Sequence, residues 1–383
     1  MKDIIIKTQG DSYKGCFMRN EFSEIDNPYT LQFSYIPPQF IERTSVTNEI
    51  VDNFVRNVPT YRGMFITGVR GTGKTVMLGD IRNKISSRKD WIAVDINPES
   101  DLLDSLARGL YLIPEIKSLF VKAKIDFSVL GIGVHLENAE IVASNAEDAL
   151  AMMLRVLKKA KKRLLVTIDE VTYSKDVARF SHALSSYASA DYDIYVLMTG
   201  LLDNIKAIKN NKSLTFLYRA KVMELETLNI TAICKDYEDT LKLDRERAEK
   251  LAFATRGYSL AFQAVGFHFW NALSKKKTSE IDENEIYREL DVTLAELAYS
   301  KICDELSAND LKVLYAMAHI MEETGEASIK VEKIREETGM TSDTFTTYRK
   351  RLMESGIVNG KTYGYLRILL PRFERYLRFR NEW

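Results

Sequence analysis

Eight consecutive residues, Gly68-Val69-Arg70-Gly71-Thr72-Gly73-Lys74-Thr75, have the spacing G-x-x-x-x-G-K-T of a loop that holds phosphate. Glycines at 68, 71 and 73 let backbone amides turn toward a polyphosphate that a Cβ would keep away. Lys74 offers a cation to the β- and γ-phosphates, and Thr75 a hydroxyl to Mg²⁺. Val76 continues into a helix whose positive end adds to the field. The ligand this set would take is a nucleotide polyphosphate with Mg²⁺. The bare pattern arises by chance in about one chain of this length in a hundred. Here an apolar β-prone run, Met64-Phe65-Ile66-Thr67, precedes it, and a helical pattern follows.

A second acidic signature lies downstream. Arg163-Leu164-Leu165-Val166-Thr167-Ile168-Asp169-Glu170 is an apolar run closed by two carboxylates. A strand buried on both faces reads as such a run, and ligands of open α/β sheets bind at the carboxyl ends of their strands. Asp169 would support Mg²⁺ and Glu170 would polarise the attacking water. Alone, the pair reads equally as a solvated strand end; the phosphate loop gives it meaning.

These residues need a scaffold, and the pattern supplies one. Strands are expected at 63–67, 91–96, 163–168, 192–200 and 221–225, separated by helices at 75–88, 101–122, 145–162 and 177–190. Such alternation predicts an α/β fold: a parallel sheet sandwiched by helices, of the P-loop NTPase kind. One strand, 91–96, separates the two motif strands in sequence. Before the sheet, Tyr29–Tyr35 alternates with period two, Pro37-Pro38 breaks the chain, and 44–57 reads as helix. Residues 125–137 read as a Gly-turned hairpin. The basic run Lys158-Lys159-Ala160-Lys161-Lys162-Arg163 suits a helix C-terminus. Residues 229–300 are helical throughout.

The last eighty or so residues change character. Ser307-Ala308-Asn309-Asp310 reads as a capping box opening a helix to about 322, Val331–Thr338 is a second ended by Gly339, and Thr341-Ser342-Asp343 starts a third ended by Gly356. A hairpin turning at Asn359-Gly360 completes a winged helix. Residues 345–383 hold nine Lys/Arg against three Asp/Glu, whereas 301–344 hold five against ten. The basic half predicts phosphate contacts with DNA through Arg349, Lys350, Arg351 and Lys361. The acidic half keeps open a protein partner or self-association.

With these motifs in place, the chain resembles AAA+-type ATPases of the origin-recognition-like and archaeal-type ATPase group, which overlaps the signalling ATPases called STAND. The resemblance covers roughly residues 38–383. It implies an ATPase core at 41–226 after a 1–40 lead-in, a helical lid at 227–300 and a winged-helix domain at 301–383. It also implies Mg²⁺-dependent, slow ATP hydrolysis, with nucleotide state controlling the winged helix. A nucleotide-stabilised regulator with negligible hydrolysis is the other reading. The family's polar sensor falls at Thr199, beside Gly200. Its arginine finger falls at Arg219 in Leu217-Tyr218-Arg219-Ala220, a role requiring a neighbouring subunit or a closed state. A second sensor falls at Arg256 in Thr255-Arg256-Gly257-Tyr258-Ser259. Three features depart from the family pattern: Phe40-Ile41-Glu42-Arg43 lacks its usual glycine, Leu201 replaces a small polar residue, and the lid motif lacks proline.

Composition bounds the rest. Lys plus Arg equals Asp plus Glu at 54 each, so bulk charge demands neither nucleic acid nor membrane. The three cysteines, Cys16, Cys234 and Cys303, are scattered, which favours a reducing, cytoplasmic setting. The four histidines form no zinc pattern, and no apolar run approaches the roughly 20 residues of a membrane span.

Overall fold

The computed structural model describes residues 22–23, 26–32, 36–131 and 141–381. Five strands form one parallel sheet: β1 (Gly63–Thr67), β2 (Trp91–Ile96), β3 (Arg163–Ile168), β4 (Ile194–Gly200) and β5 (Lys221–Glu224), in the order β2-β3-β4-β1-β5. The strand β4 thus lies between the phosphate-loop strand β1 and the acidic strand β3, pairing Ile66 with Thr199 and Ile168 with Met198. Every residue of β1 and β4 is buried. That is why these strands are continuous apolar runs: both faces are covered. On one face Ile50, Phe54, Met77, Ile81 and Ile85 from helices Thr44–Val55 and Lys74–Ser86 pack against Met64, Ile66, Leu165 and Leu197. On the other, helices Leu102–Tyr111, Ala146–Lys159 and Lys175–Ser189 pack against Phe65, Val94, Val166 and Val196.

Beyond β5 the chain is helical. Asn229, Asp244 and Asp282 each cap a helix start through the side chain. Helix Ser259–Leu273 is buried on most sides and runs back against the phosphate loop. The C-terminal module has the expected capping box, Ser307 with Asp310, opening helix Ala308–Thr324. Strand β6 (Ile329–Lys330) precedes helices Val331–Thr338 and Ser342–Glu354, and with β7 (Val358–Asn359) and β8 (Tyr365–Ile368) it forms a three-stranded antiparallel sheet with β8 central. The chain closes with helix Phe373–Asn381, whose Phe373 and Leu377 join the core.

Several local expectations differ from what is observed. The expected helix over 101–122 is two helices, because Pro114 has no N–H and forces Ile113 into extended backbone (ψ 116°). The expected hairpin at 125–137 is absent over its described part. Asp126 accepts the Ser128 N–H (2.7 Å), which bends the chain into a 3₁₀ turn, and Ile125–Asp126 pairs in parallel with Ile141–Val142. Its residues 132–137 lie outside the described residues. Residues 29–32 form no strand, and 33–35 lie outside the description. The wing does not turn at Asn359-Gly360 alone: Asn359 accepts the Lys361 N–H (2.7 Å), and the loop runs on to Gly364 at φ 78°.

Candidate nucleotide site

The phosphate loop leaves β1 at its carboxyl end and enters helix Lys74–Ser86, with Gly71 and Gly73 at φ 77° and 87°. Those angles suit glycine, and a Cβ on Gly71 would also overlap the Tyr258 hydroxyl. Each carbonyl from 68 to 72 is engaged. Lys74 Nζ donates to Gly68 O (2.9 Å) and Val69 O (3.1 Å), and Thr72 Oγ1 to Val69 O (2.8 Å). Tyr258 donates its hydroxyl to Arg70 O, and Leu260 N donates to Gly71 O (3.0 Å). Arg43 Nη2 (2.8 Å) and Ser259 Oγ (2.9 Å) donate to Thr72 O. With the carbonyls held this way, the N–H groups of Lys74, Thr75 and Val76 remain as the acceptor-free first turn of the helix. That is a cradle for an anion, so the residues present fit a polyphosphate.

The acidic strand meets the loop through Asp169. Thr75 donates to Asp169 Oδ2 at 2.7 Å, and Thr199, fully buried at the end of β4, donates to Asp169 Oδ1. The same Thr199 hydroxyl accepts the Glu170 N–H at 2.9 Å, and Thr199 O accepts from Val171 N at 2.8 Å. One carboxylate therefore gathers the two hydroxyls, a donor set of hard oxygens that fits Mg²⁺. Glu170 sits at φ 54°, a conformation costing a non-glycine residue about 1 kcal/mol or more. Its side chain is 66% exposed, and Arg70 Nη1 lies 3.5 Å from it. Lys74 is buried, which pushes its ammonium down to about 8; nearby Glu170 opposes that shift. Its Nζ rests on the loop carbonyls, so reaching β- and γ-phosphates means exchanging them for phosphate oxygens.

Other expected residues lie elsewhere. Arg256, read as a second sensor, turns away from the loop at φ 48° and donates to Leu370 O (2.8 Å), with Glu374 at 3.4 Å. Its neighbours Tyr258, Ser259 and Leu260 touch the loop instead. Arg219 is exposed just before β5, whose first residue pairs with Met64 at the start of β1. It therefore stands at the opposite end of the sheet from its own phosphate loop. In the winged helix, Arg351 is committed to fully buried Asp310 (3.2 Å) and Lys350 lies 3.9 Å from Glu354. Arg349 Nε is buried, and Lys361 is exposed beside a cavity of about 630 Å³ that Gly68 and Glu226 also line.

Two groups escaped the sequence reading. Arg43, pushed down to about 10 by burial, bridges Thr72 O, Ser259 Oγ (3.0 Å) and Glu226 O (3.2 Å). Beside it, Phe40, Ile41, Val76, Met77 and Phe262 line an apolar slot next to Gly73. The signal in the sequence is the box Phe40–Arg43, with its apolar pair and its arginine.

Comparison with solved structures adds the wider frame. The Orc2 protein of Aeropyrum pernix, solved as ADPNP and ADP complexes, superposes with a TM-score of 0.59 at 12% identity, over 91% of this chain and 96% of that one. The fold is that of AAA+ ATPases of the origin-recognition type. Cdc6p of Pyrobaculum aerophilum also aligns, over 92% of this chain and 96% of that one, at 15% identity and a TM-score of 0.47. A domain of unknown function, DUF8462, matches residues 296–377 of the C-terminal part. No curated protein matches the sequence. Among the described residues, no helix is long and apolar enough to cross a membrane.

Proposed function

We propose that the protein is a Mg²⁺-dependent ATP-binding switch that hydrolyses ATP slowly and uses nucleotide state to control its winged helix. The observation that carries this reading is the convergence on Asp169: hydroxyls of Thr75 from the phosphate-loop helix and Thr199 from β4 meet on one carboxylate, with Glu170 next in the chain. The loop amides and Lys74 would hold the β- and γ-phosphates. The apolar slot at Phe40, Met77 and Phe262 would take the base. Thr75 and Asp169 would hold Mg²⁺, which supplies charge neutralisation across the phosphate oxygens. Thr199 orients Asp169 and, through the Glu170 N–H, fixes the start of the segment carrying the general base. Glu170 would accept a proton from water. Arg219 would serve a neighbouring subunit's site, since it cannot reach its own. The nucleotide complexes of the Aeropyrum Orc2 neighbour support the class of ligand.

The outward-facing Glu170, beside Arg70, specifically favours the second reading, occupancy with negligible turnover. Steady-state phosphate release separates the two. Replacing Glu170→Gln should lower turnover on the order of 10²-fold or more while leaving nucleotide binding in place. Wild-type release no greater than that of the variant would leave a binding regulator. For the winged helix we propose DNA as partner, on the exposed basic residues of the third helix and wing.

A further inference from the structure

Arg70 is the third residue of the phosphate loop, and its guanidinium is shared between two carboxylates. Nε and Nη2 both meet Glu305 Oε1, at 3.0 and 2.6 Å, and Nη1 lies 3.5 Å from Glu170 Oε1. Glu305 belongs to the C-terminal part of the chain, in the turn between helices Ser300–Asp304 and Ala308–Thr324. The loop's next contact with that part is apolar: Val69 belongs to the same core as the winged helix, and a Cβ on Gly356 would stand 3.0 Å from its Cγ2. A cavity of about 500 Å³ opens between them, lined by Gly68, Arg70, Glu305, Arg351 and Glu354. The charges of Glu170, Arg70, Asp169 and Glu305 all bear on Lys74. A residue of the C-terminal module is thus inside the electrostatic neighbourhood of the phosphate-binding lysine.

The Arg70 backbone is fixed, because Tyr258 holds its carbonyl, while the side chain is held only by partly exposed carboxylates. Its present ion pair is partly exposed, at 28% and 42% for the two side chains, so it is a weak tie that a better acceptor can replace. A phosphoryl group is such an acceptor: it carries more charge than a carboxylate and takes a guanidinium in bidentate fashion. Any group presented to Glu170 enters the field of the same guanidinium.

We propose that Arg70 distinguishes triphosphate from diphosphate, and that Glu305 is its resident counter-ion, so that a γ-phosphate and the docked C-terminal module compete for one guanidinium. The inference rests on the ATP-site reading above. Competition of this kind is reciprocal: what Glu305 takes from triphosphate affinity, triphosphate takes from docking. Diphosphate, lacking the terminal group, leaves the Arg70–Glu305 tie in place.

The test uses the full chain with Mg²⁺, calorimetric titration of ADP and of the slowly hydrolysed analogue AMPPNP, and hydrogen exchange across 305–311 and 351–358. In the wild type, AMPPNP should raise exchange in both segments and ADP should not. Glu305→Gln should tighten AMPPNP about fivefold or more, leave ADP affinity unchanged and raise exchange without nucleotide. Arg70→Gln should narrow the AMPPNP-to-ADP ratio and make exchange insensitive to nucleotide; Arg70→Lys, retaining charge without the fork, should fall between. Unchanged AMPPNP affinity in Glu305→Gln, or identical wild-type exchange with the two nucleotides, overturns the competition while leaving the ATP site intact. A wild type that binds neither nucleotide overturns both.

Discussion

Lys74 carries the sharpest chemical consequence at the scale of single residues. Burial pushes its ammonium down to about 8 from an ordinary 10.5. Between those values the unfolded chain holds more protons than the folded one, so stability rises with pH through that window. A bound polyphosphate reverses the balance by favouring the charged form. ATP binding near pH 9 should therefore take up part of a proton, read as a dependence of the calorimetric enthalpy on buffer ionisation. Lys74→Met should abolish that dependence, and a buffer-independent enthalpy in the wild type would contradict the assigned role. Asp169 works by a different logic. It accepts from two hydroxyls in this arrangement, and in the proposed function it would exchange one of them for a metal ion.

At the scale of elements, the helix Ser259–Leu273 joins the phosphate loop to the N-terminal segment. Its first turn holds the phosphate loop through Ser259 and Leu260. Its middle receives the N-terminal segment: the Tyr29 ring lies on Gly266, its hydroxyl donates to buried Asp236, and Asn27 Nδ2 donates to Phe267 O (3.1 Å) and Asn271 Oδ1 (2.8 Å). Trp270 Nε1 donates to Ser23 O at 2.7 Å. A methyl group at 266 would overlap the Tyr29 ring, so Gly266→Ala should cost about 1–3 kcal/mol through overpacking and free the segment. Thermal melting together with proteolysis near residue 30 would measure both. An unchanged melting temperature would mean that the segment contributes no packing energy.

The whole molecule places the winged helix against the phosphate loop, at the carboxyl end of the parallel sheet. Arg70–Glu305 and Lys206–Glu354 at 2.5 Å tie it to the α/β part, and Arg256 on Leu370 O ties it to the helical part, around an apolar contact at Val69. Consequently the C-terminal end of the third helix faces inward, and its amino-terminal turn and the wing tip, with Tyr363 at 99% exposure, face solvent. DNA binding through this face should follow counterion release. Neutralising Lys350, Lys361 and Arg367 should weaken binding across sequences and flatten the salt dependence by about one unit for each DNA phosphate left without its cation. An electrophoretic shift series over salt would show it. An unaltered slope would assign the module to a protein partner.

What the amino-acid order settled by itself was whatever depends on short spacing: the loop Gly68–Thr75, the acidic strand end at Asp169-Glu170, five strands read from apolar runs, and the capping box at Ser307. Local physics also explains most misses. Pro114 split a helix and Asp126 bent an expected hairpin, because one missing N–H and one short side-chain bond outweigh periodicity. Family likeness singles out Thr199, but its two hydrogen bonds, to Asp169 and from the Glu170 N–H, required β4 to lie between β1 and β3. Arg43, the slot at Phe40 and Phe262, and the turning away of Arg256 were decided by packing of distant segments. So was the meeting of Arg70 with Glu305, residues 235 positions apart. Long-range pairing is set by which faces must be buried together, and a linear pattern carries that information only collectively.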